Sequence, residues 1–253
     1  MIINSQNIQK YFSEKIVDII KLSGGVTNII YKIITSGNTY ILRVYGKNTE
    51  QLIDRSNERQ IMNYLSQFNL SPKIISEYPE FRIEEFFDGQ NNIPPLEYQD
   101  NLCKTLLKIH NLPVNFSFPN FWNKFNDFRV SASSPYSEEI NIIISNIGSF
   151  KNKYWNQEVL GHGDLTLGNI LYQNNNIKLI DFEYSCILPR AFEIANHLCE
   201  YYGLDYNHLN YPSEKVRIKL IKNYINHDKV NNIKFSDDFL YIIDQYSLIS
   251  HYF

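Results

Sequence analysis

Cysteine, long apolar runs and net charge are what this chain has least of. Its three cysteines, Cys103, Cys186 and Cys199, are odd in number and lack the paired spacing of a zinc site. They read as buried thiols in a reducing compartment. No apolar stretch approaches the ~20 residues a bilayer-spanning helix needs, and Met1 to Lys15 has no signal-like apolar core. The expectation is a cytoplasmic protein without membrane insertion. A net charge of −3 on 253 residues provides no general attraction for nucleic acid or anionic lipid. There is no internal repeat and no Gly-Lys-Ser/Thr string of the Walker type. With 43% hydrophobic and 20% charged residues the composition is that of a globular protein, long enough for one large domain or two lobes.

The hydrophobic pattern changes period along the chain. Ile16 to Leu22, Asn28 to Thr35 and Thr39 to Val44 are β-branched runs separated by Ser23-Gly24-Gly25 and Ser36-Gly37-Asn38, which predicts an antiparallel meander. A helix is expected over Thr49 to Phe68, with Leu52, Ile53, Ile61, Leu65 and Phe68 on one side, and a strand pair over Ile74 to Tyr78 and Phe81 to Phe86. Asp88-Gly89-Gln90 and Pro94-Pro95 mark a boundary, giving an N-terminal nucleotide-binding lobe over 1–90 and a C-terminal catalytic and substrate lobe over 91–253. In the second part, helices are expected over Leu96 to His110, Ser137 to Phe150, Arg190 to Tyr202 and Ser213 to Ile225, and from Ser236 onward. Pro113 to Pro135 is aromatic and irregular. Strands first and helices later describe an α+β fold of two lobes.

The chemistry concentrates in His162-Gly163-Asp164-Leu165-Thr166-Leu167-Gly168-Asn169 and Leu179-Ile180-Asp181-Phe182-Glu183. An Asp, an Asn five residues on and a second Asp closing an apolar strand form the layout by which kinases hold a hydroxyl nucleophile and the Mg²⁺ of ATP. Asp164 is the expected base and substrate contact. Asn169 and Asp181 supply the hard oxygen ligands Mg²⁺ prefers. Glu183 either serves a second metal or faces solvent. Upstream, Ser23, Gly24, Gly25, Val26, Thr27 and Asn28 form a turn whose backbone and side-chain donors suit phosphate. Arg43 ends a strand as a cation for the phosphates, with Glu58 on the next helix to hold it. On the helix from Arg190, residues Ala191, Ile194, Ala195 and Leu198 make an apolar stripe, while Glu193, Asn196, His197 and Glu200 share a polar face that either is solvated or lines the cleft.

Leu-Ile-Asp-Phe-Glu-Tyr-Ser from Leu179, Ala-Phe-Glu-Ile-Ala-Asn-His-Leu-Cys-Glu from Ala191 and Tyr40 to Arg55 together resemble the choline/ethanolamine kinase family. The stretch Tyr40 to Arg55 is most similar to the ethanolamine branch. The resemblance implies a protein-kinase-like fold with ATP and Mg²⁺ between two lobes and a small amino alcohol as the phosphorylated substrate. It implies that Ser23 to Asn28 and Arg43 contact the phosphates. Backbone groups from Glu85 to Phe87 would meet the adenine, and Glu200 would face the substrate ammonium. Glu193 stands where the family has Asp, a residue that holds the catalytic loop. Family members continue through a Trp-rich segment that completes the amine pocket, whereas this sequence reaches Phe253 in mid-pattern, so the expectation is either a fragment or an unusually open pocket. Ethanolamine is the favoured substrate. Choline, which would need an aromatic cage from residues such as Tyr184, Tyr201, Tyr202 and Tyr206, is the alternative. A kinase for aminoglycosides or other small molecules is a third possibility, and a catalytically silent kinase-like binding protein a fourth.

Overall fold

The computed structural model describes residues 3–252 except 23–26, 48, 50–52, 92–94, 114–117, 133–135, 175, 204 and 206. The chain divides into two compact units, Met1–Gly89 with Lys178–Glu183, and Gln90–Ile177 with Tyr184–Phe253. A cut at residue 90 places Lys178–Glu183 in the second part. The segment belongs with the first unit, where Asp181 pairs with Arg43 and Glu183 with Arg55.

In the first unit, β1 (Ile16–Lys21), β2 (Asn28–Thr35), β3 (Thr39–Tyr45), β4 (Ile74–Glu77) and β5 (Phe81–Glu85) form an antiparallel sheet in the order β1-β2-β3-β5-β4. Alternation of side chains across the pleat sends Ile16, Ile33, Leu42, Phe81 and Ile83 into one core, which Ile8 joins from the short helix α1 (Ser5–Ile8). Helix α2 spans Arg55–Ser66, shorter than its apolar pattern suggests. Asp54 stops it at the start, its carboxylate accepting the Asn57 N–H at 3.0 Å. Phe68, expected on the buried side, lies beyond the end of the helix and is 48% exposed, and Leu52 lies outside the described residues.

The second unit is mostly helical: α3 (Pro95–His110), α4 (Phe121–Ala132), α5 (Ser137–Ser149), α6 (Arg190–Cys199), α7 (Glu214–His227) and α8 (Asp238–Tyr252). Helix α4 occupies part of the stretch that looked irregular in sequence; Phe121 and Phe125, one turn apart, bury its inner face. Strands β6 (Glu158–Gly161) and β9 (Cys186–Pro189) pair antiparallel, and β7 (Ile170–Gln173) and β8 (Asn176–Leu179) follow the catalytic string. Trp155 is fully buried against Tyr224 of α7 and Phe239 of α8. All three cysteines are buried and free. Among the described residues no helix is long and apolar enough to cross a membrane.

Candidate active site

Arg43 lies at the centre of β3, 2% exposed, and reaches two carboxylates. Its Nε donates to Glu84 Oε1 at 3.1 Å and its Nη1 to Asp181 Oδ1 at 3.0 Å. Glu58 does not touch it. That carboxylate accepts from Arg82 Nη2 at 2.6 Å and Arg55 Nη1 at 3.0 Å, so the expected strand-to-helix pair is replaced by another arrangement. The reason is the sheet register. Arg43 and Arg82 sit directly opposite each other on β3 and β5, and Glu84 lies two residues along on the same face. Its carboxylate therefore reaches both guanidinium groups, with Arg82 Nε at 2.5 Å. Burial pushes the carboxyl groups of Glu58 and Glu84 up, and the surrounding guanidinium charges outweigh it, holding both below the usual range.

Asp181 follows β8 with φ 68°, in the left-handed region that Asp tolerates better than most side chains. Glu183 is fully engaged by the protein. It accepts from Thr27 Oγ1 at 2.9 Å, Asn28 Nδ2 at 3.2 Å and Arg55 Nη1 at 3.3 Å. The side-chain donors that Thr27 and Asn28 offered to phosphate are thus directed to Glu183, and Arg55 Nη2 closes the cluster on Asn28 Oδ1 at 3.0 Å. Burial and the charge of Asp181 raise the Glu183 carboxyl above its ordinary value. Of the phosphate turn, Ser23, Gly24, Gly25 and Val26 lie outside the described residues. The Glu85 N–H is bonded to the Lys73 carbonyl at 2.9 Å, and the Phe87 carbonyl accepts from Gly89 at 2.9 Å.

In the second unit the loop that begins at His162 is built on α6. All ten residues of that helix are buried, including the face that the sequence left open between solvent and cleft. Its polar residues hold backbone. Glu193 accepts from the N–H of His162 at 2.9 Å and of Gly163 at 3.3 Å; Asn196 Oδ1 accepts from Leu165 N at 2.8 Å; His197 Nδ1 lies 3.0 Å from the Leu165 carbonyl. The Glu193 side chain is long enough to reach the loop N–H groups of both His162 and Gly163. Arg190 anchors the start of α6 through Gln157, Tyr224 and Asn111. Neither Asn196 nor His197 could be given this role from sequence, because a helical wheel does not tell a solvated polar face from one satisfying backbone.

Asn169 Nδ2 donates to the Asp164 carbonyl at 2.9 Å and to its Oδ2 at 3.0 Å, which fixes the carboxylate and keeps Asn169 Oδ1 as an oxygen donor for a cation. Glu200, in the turn that ends α6, has its pKa raised to about 7, first by burial and then by the negative charge of Asp164. Tyr202 stacks on Tyr211 at 5.0 Å, Tyr201 packs edge-on against His197, and Tyr206 lies outside the described residues.

Two glycines make this loop possible. A Cβ on Gly161 would stand 2.4 Å from Glu193 Oε2 and 2.5 Å from Leu188, and Gly163 adopts φ 78° against the Tyr184 carbonyl. Gly161→Ala is expected to lower stability by about 1–3 kcal/mol through overpacking and to push Glu193 off the His162 N–H. Chemical denaturation measures the first effect. A loss of turnover exceeding the loss of folded protein measures the second.

The sequence pattern that defines choline/ethanolamine kinase matches residues 19–253. The chain belongs to the choline/ethanolamine kinase family. It is similar to a probable ethanolamine kinase of Arabidopsis thaliana, 27% identical over 260 residues that cover 91% of this chain and 69% of that protein. It is similar also to probable ethanolamine kinase A of Dictyostelium discoideum, 29% identical over 266 residues covering 91% and 74%. Among solved structures, a choline kinase from Cryptosporidium parvum superposes with a TM-score of 0.69 at 24% identity, covering 96% of this chain and 83% of that one. A Plasmodium vivax ethanolamine kinase gives 0.69 at 24%, covering 92% and 73%. These likenesses show the α+β, protein-kinase-like fold of the family.

Proposed function

We propose that this kinase transfers the γ-phosphoryl group of ATP to the hydroxyl of ethanolamine, forming phosphoethanolamine, with residues 1–90 as the nucleotide lobe and 91–253 as the catalytic and substrate lobe. The observation that carries the reading is the Asp164 carboxylate, fixed by Asn169 on a loop held from beneath by Glu193, Asn196 and His197. A carboxylate cannot remove an alcohol's proton in advance. It aims the hydroxyl at the γ-phosphorus and takes the proton late, in a loose transition state. Arg43 neutralises phosphate charge.

Asn169 and Asp181 are the residues that would hold Mg²⁺. Both offer hard oxygens. That suits a cation which keeps its waters and takes only one or two protein ligands beside the phosphates. When bound, the metal offsets the charge that builds on the transferring phosphoryl group.

Ethanolamine is favoured over choline by Glu200. A primary ammonium has N–H donors for a half-buried carboxylate, whereas a trimethylammonium has none and wants an aromatic cage. Because the Glu200 carboxyl titrates at about 7, the pairing strengthens as pH rises through that value, and kcat/KM for ethanolamine should rise with it. Glu200→Gln should flatten this rise and increase KM for ethanolamine by an amount equivalent to ~2–5 kcal/mol. The effect on KM for ATP should be smaller, and choline should lose less. Assaying both amines at saturating ATP across pH 6 to about 8.5, near the carboxyl's titration range, tests the assignment. An unchanged amine preference and pH profile in the variant would remove Glu200 from the substrate site, and turnover of neither amine by the parent would end the proposal.

A further inference from the structure

The first unit carries an unbroken series of opposite charges, from Asp181 to Arg43, Glu84, Arg82, Glu58, Arg55 and finally Glu183, each within ion-pair distance of the next. Both ends lie in one short segment of chain. Within the series Arg43 meets a buried carboxylate on one edge and a partly exposed one on the other: Glu84 is 3% exposed and Asp181 18%. The contact to Glu84 is through Nε, which sets the plane of the guanidinium and turns its Nη groups toward Asp181. A lysine has one point charge and cannot satisfy two edges at once, so the arrangement accounts for arginine at this position. Glu84 is in turn fixed by Arg82 Nε, and Arg82 by Glu58 at its far end. Glu58 makes no ion-pair contact with Arg43 and reaches it only by longer-range charge, while its other oxygen holds Arg55 and, through it, Asn28 and Glu183.

We infer that Glu84 on β5, and not the helix carboxylate Glu58, is the positioning residue that aims Arg43 at the nucleotide phosphates. This rests on the assignment of Arg43 to phosphate in the proposed function. Glu84 itself touches no phosphate. Its contribution passes entirely through the orientation of Arg43, and removing it frees the guanidinium plane while the rest of the strand remains in register.

The test is a double-mutant cycle read by calorimetric binding of ATP, with and without Mg²⁺, to the full chain. Glu84→Gln should weaken ATP binding about tenfold or more. In an Arg43→Met background the same change should cost less than about twofold, because the group it positions is gone. Glu84→Asp keeps the charge but retracts it by one methylene. It should lose about three- to tenfold in ATP affinity with a melting temperature close to the parent's, and it carries the test if Glu84→Gln fails to fold. Equal losses in the two backgrounds would show a general structural effect and overturn the inference, as would parental ATP affinity in both Glu84 variants. A parent chain that binds no ATP would instead refute the assignment of Arg43, a distinguishable failure.

Discussion

Asp164→Asn lowers the rate of phosphoryl transfer by about 10²–10⁴-fold, the usual contribution of a positioned general base, and leaves ATP affinity nearly unchanged. The amide keeps the size of the side chain and can still meet Asn169, so the loop held by Glu193 and Asn196 stays in place. What is lost is the ability to accept the hydroxyl proton as the new P–O bond forms. Replacing the carboxylate also removes the negative charge that contributes to the raised pKa of Glu200. The amine-dependent pH profile should therefore shift to lower pH in residual turnover. Steady-state rates with calorimetric ATP binding separate these effects, and parental turnover in the variant would move the base elsewhere.

The second large effect is expected at Asp181, where the choice of substitution matters. Alanine at φ 68° adds a backbone penalty of roughly 1–2 kcal/mol, which would confuse loss of a ligand with loss of fold. Asparagine tolerates that conformation and keeps the shape. Asp181→Asn should reduce turnover by on the order of 10²-fold, corresponding to a few kcal/mol of lost charge stabilisation. It should also move the Mg²⁺ dependence to concentrations about tenfold higher or more. Removing the negative charge beside Arg43 should at the same time leave metal-free ATP binding intact or improved, since Glu84 is then its one remaining ion-pair partner among the described residues. An unchanged Mg²⁺ titration in the variant would place the metal on other residues.

Glu193 adds a stability signature. Its carboxyl titrates at about 7 in the folded chain, raised by burial and only partly restored by the N–H groups of His162 and Gly163. Its ordinary value is near 4.5. Between those limits the folded state binds more protons than the unfolded, so this group's contribution is greatest at low pH and is lost as pH rises toward and through 7. Glu193→Gln should remove that part of the slope in denaturant titrations across this range. A slope identical to the parent's would mean that Glu193 is ionised throughout.

The elements that could be read from sequence are those whose periodicity has one explanation. Ile16 to Val44 consists of β-branched runs interrupted by serine and glycine in the sequence, and β1 to β3 follow them within a residue or so. Phe239, Ile242, Ile243, Tyr246 and Ile249 keep helical spacing and are all buried on α8. Helix α4 escaped because its aromatic residues serve neighbours on several sides, Phe121 meeting Phe192 and Phe125 meeting Tyr252, which blurs any single apolar stripe.

Asp164 and Asn169 meet because their spacing is local: they stand five residues apart and are directly bonded. The partner of Arg43 was not legible in sequence. Glu58 and Glu84 are both plausible by residue type, and only the pairing of Arg43 with Arg82 across β3 and β5 brings Glu84 to the guanidinium. The polar face of α6 was invisible for a related reason: its partners are backbone N–H and carbonyl groups, which nearly every residue carries and which therefore leave no mark in sequence.

The most direct test of the central claim is a ³¹P NMR time course of the chain with ATP, Mg²⁺ and ethanolamine. The γ-phosphate resonance should fall as a phosphomonoester of ethanolamine and ADP appear in equal amounts, with no inorganic phosphate at the same rate and a slower reaction when choline replaces ethanolamine. Loss of the γ-phosphate to inorganic phosphate alone, or no consumption of ATP with either amine, would contradict the account.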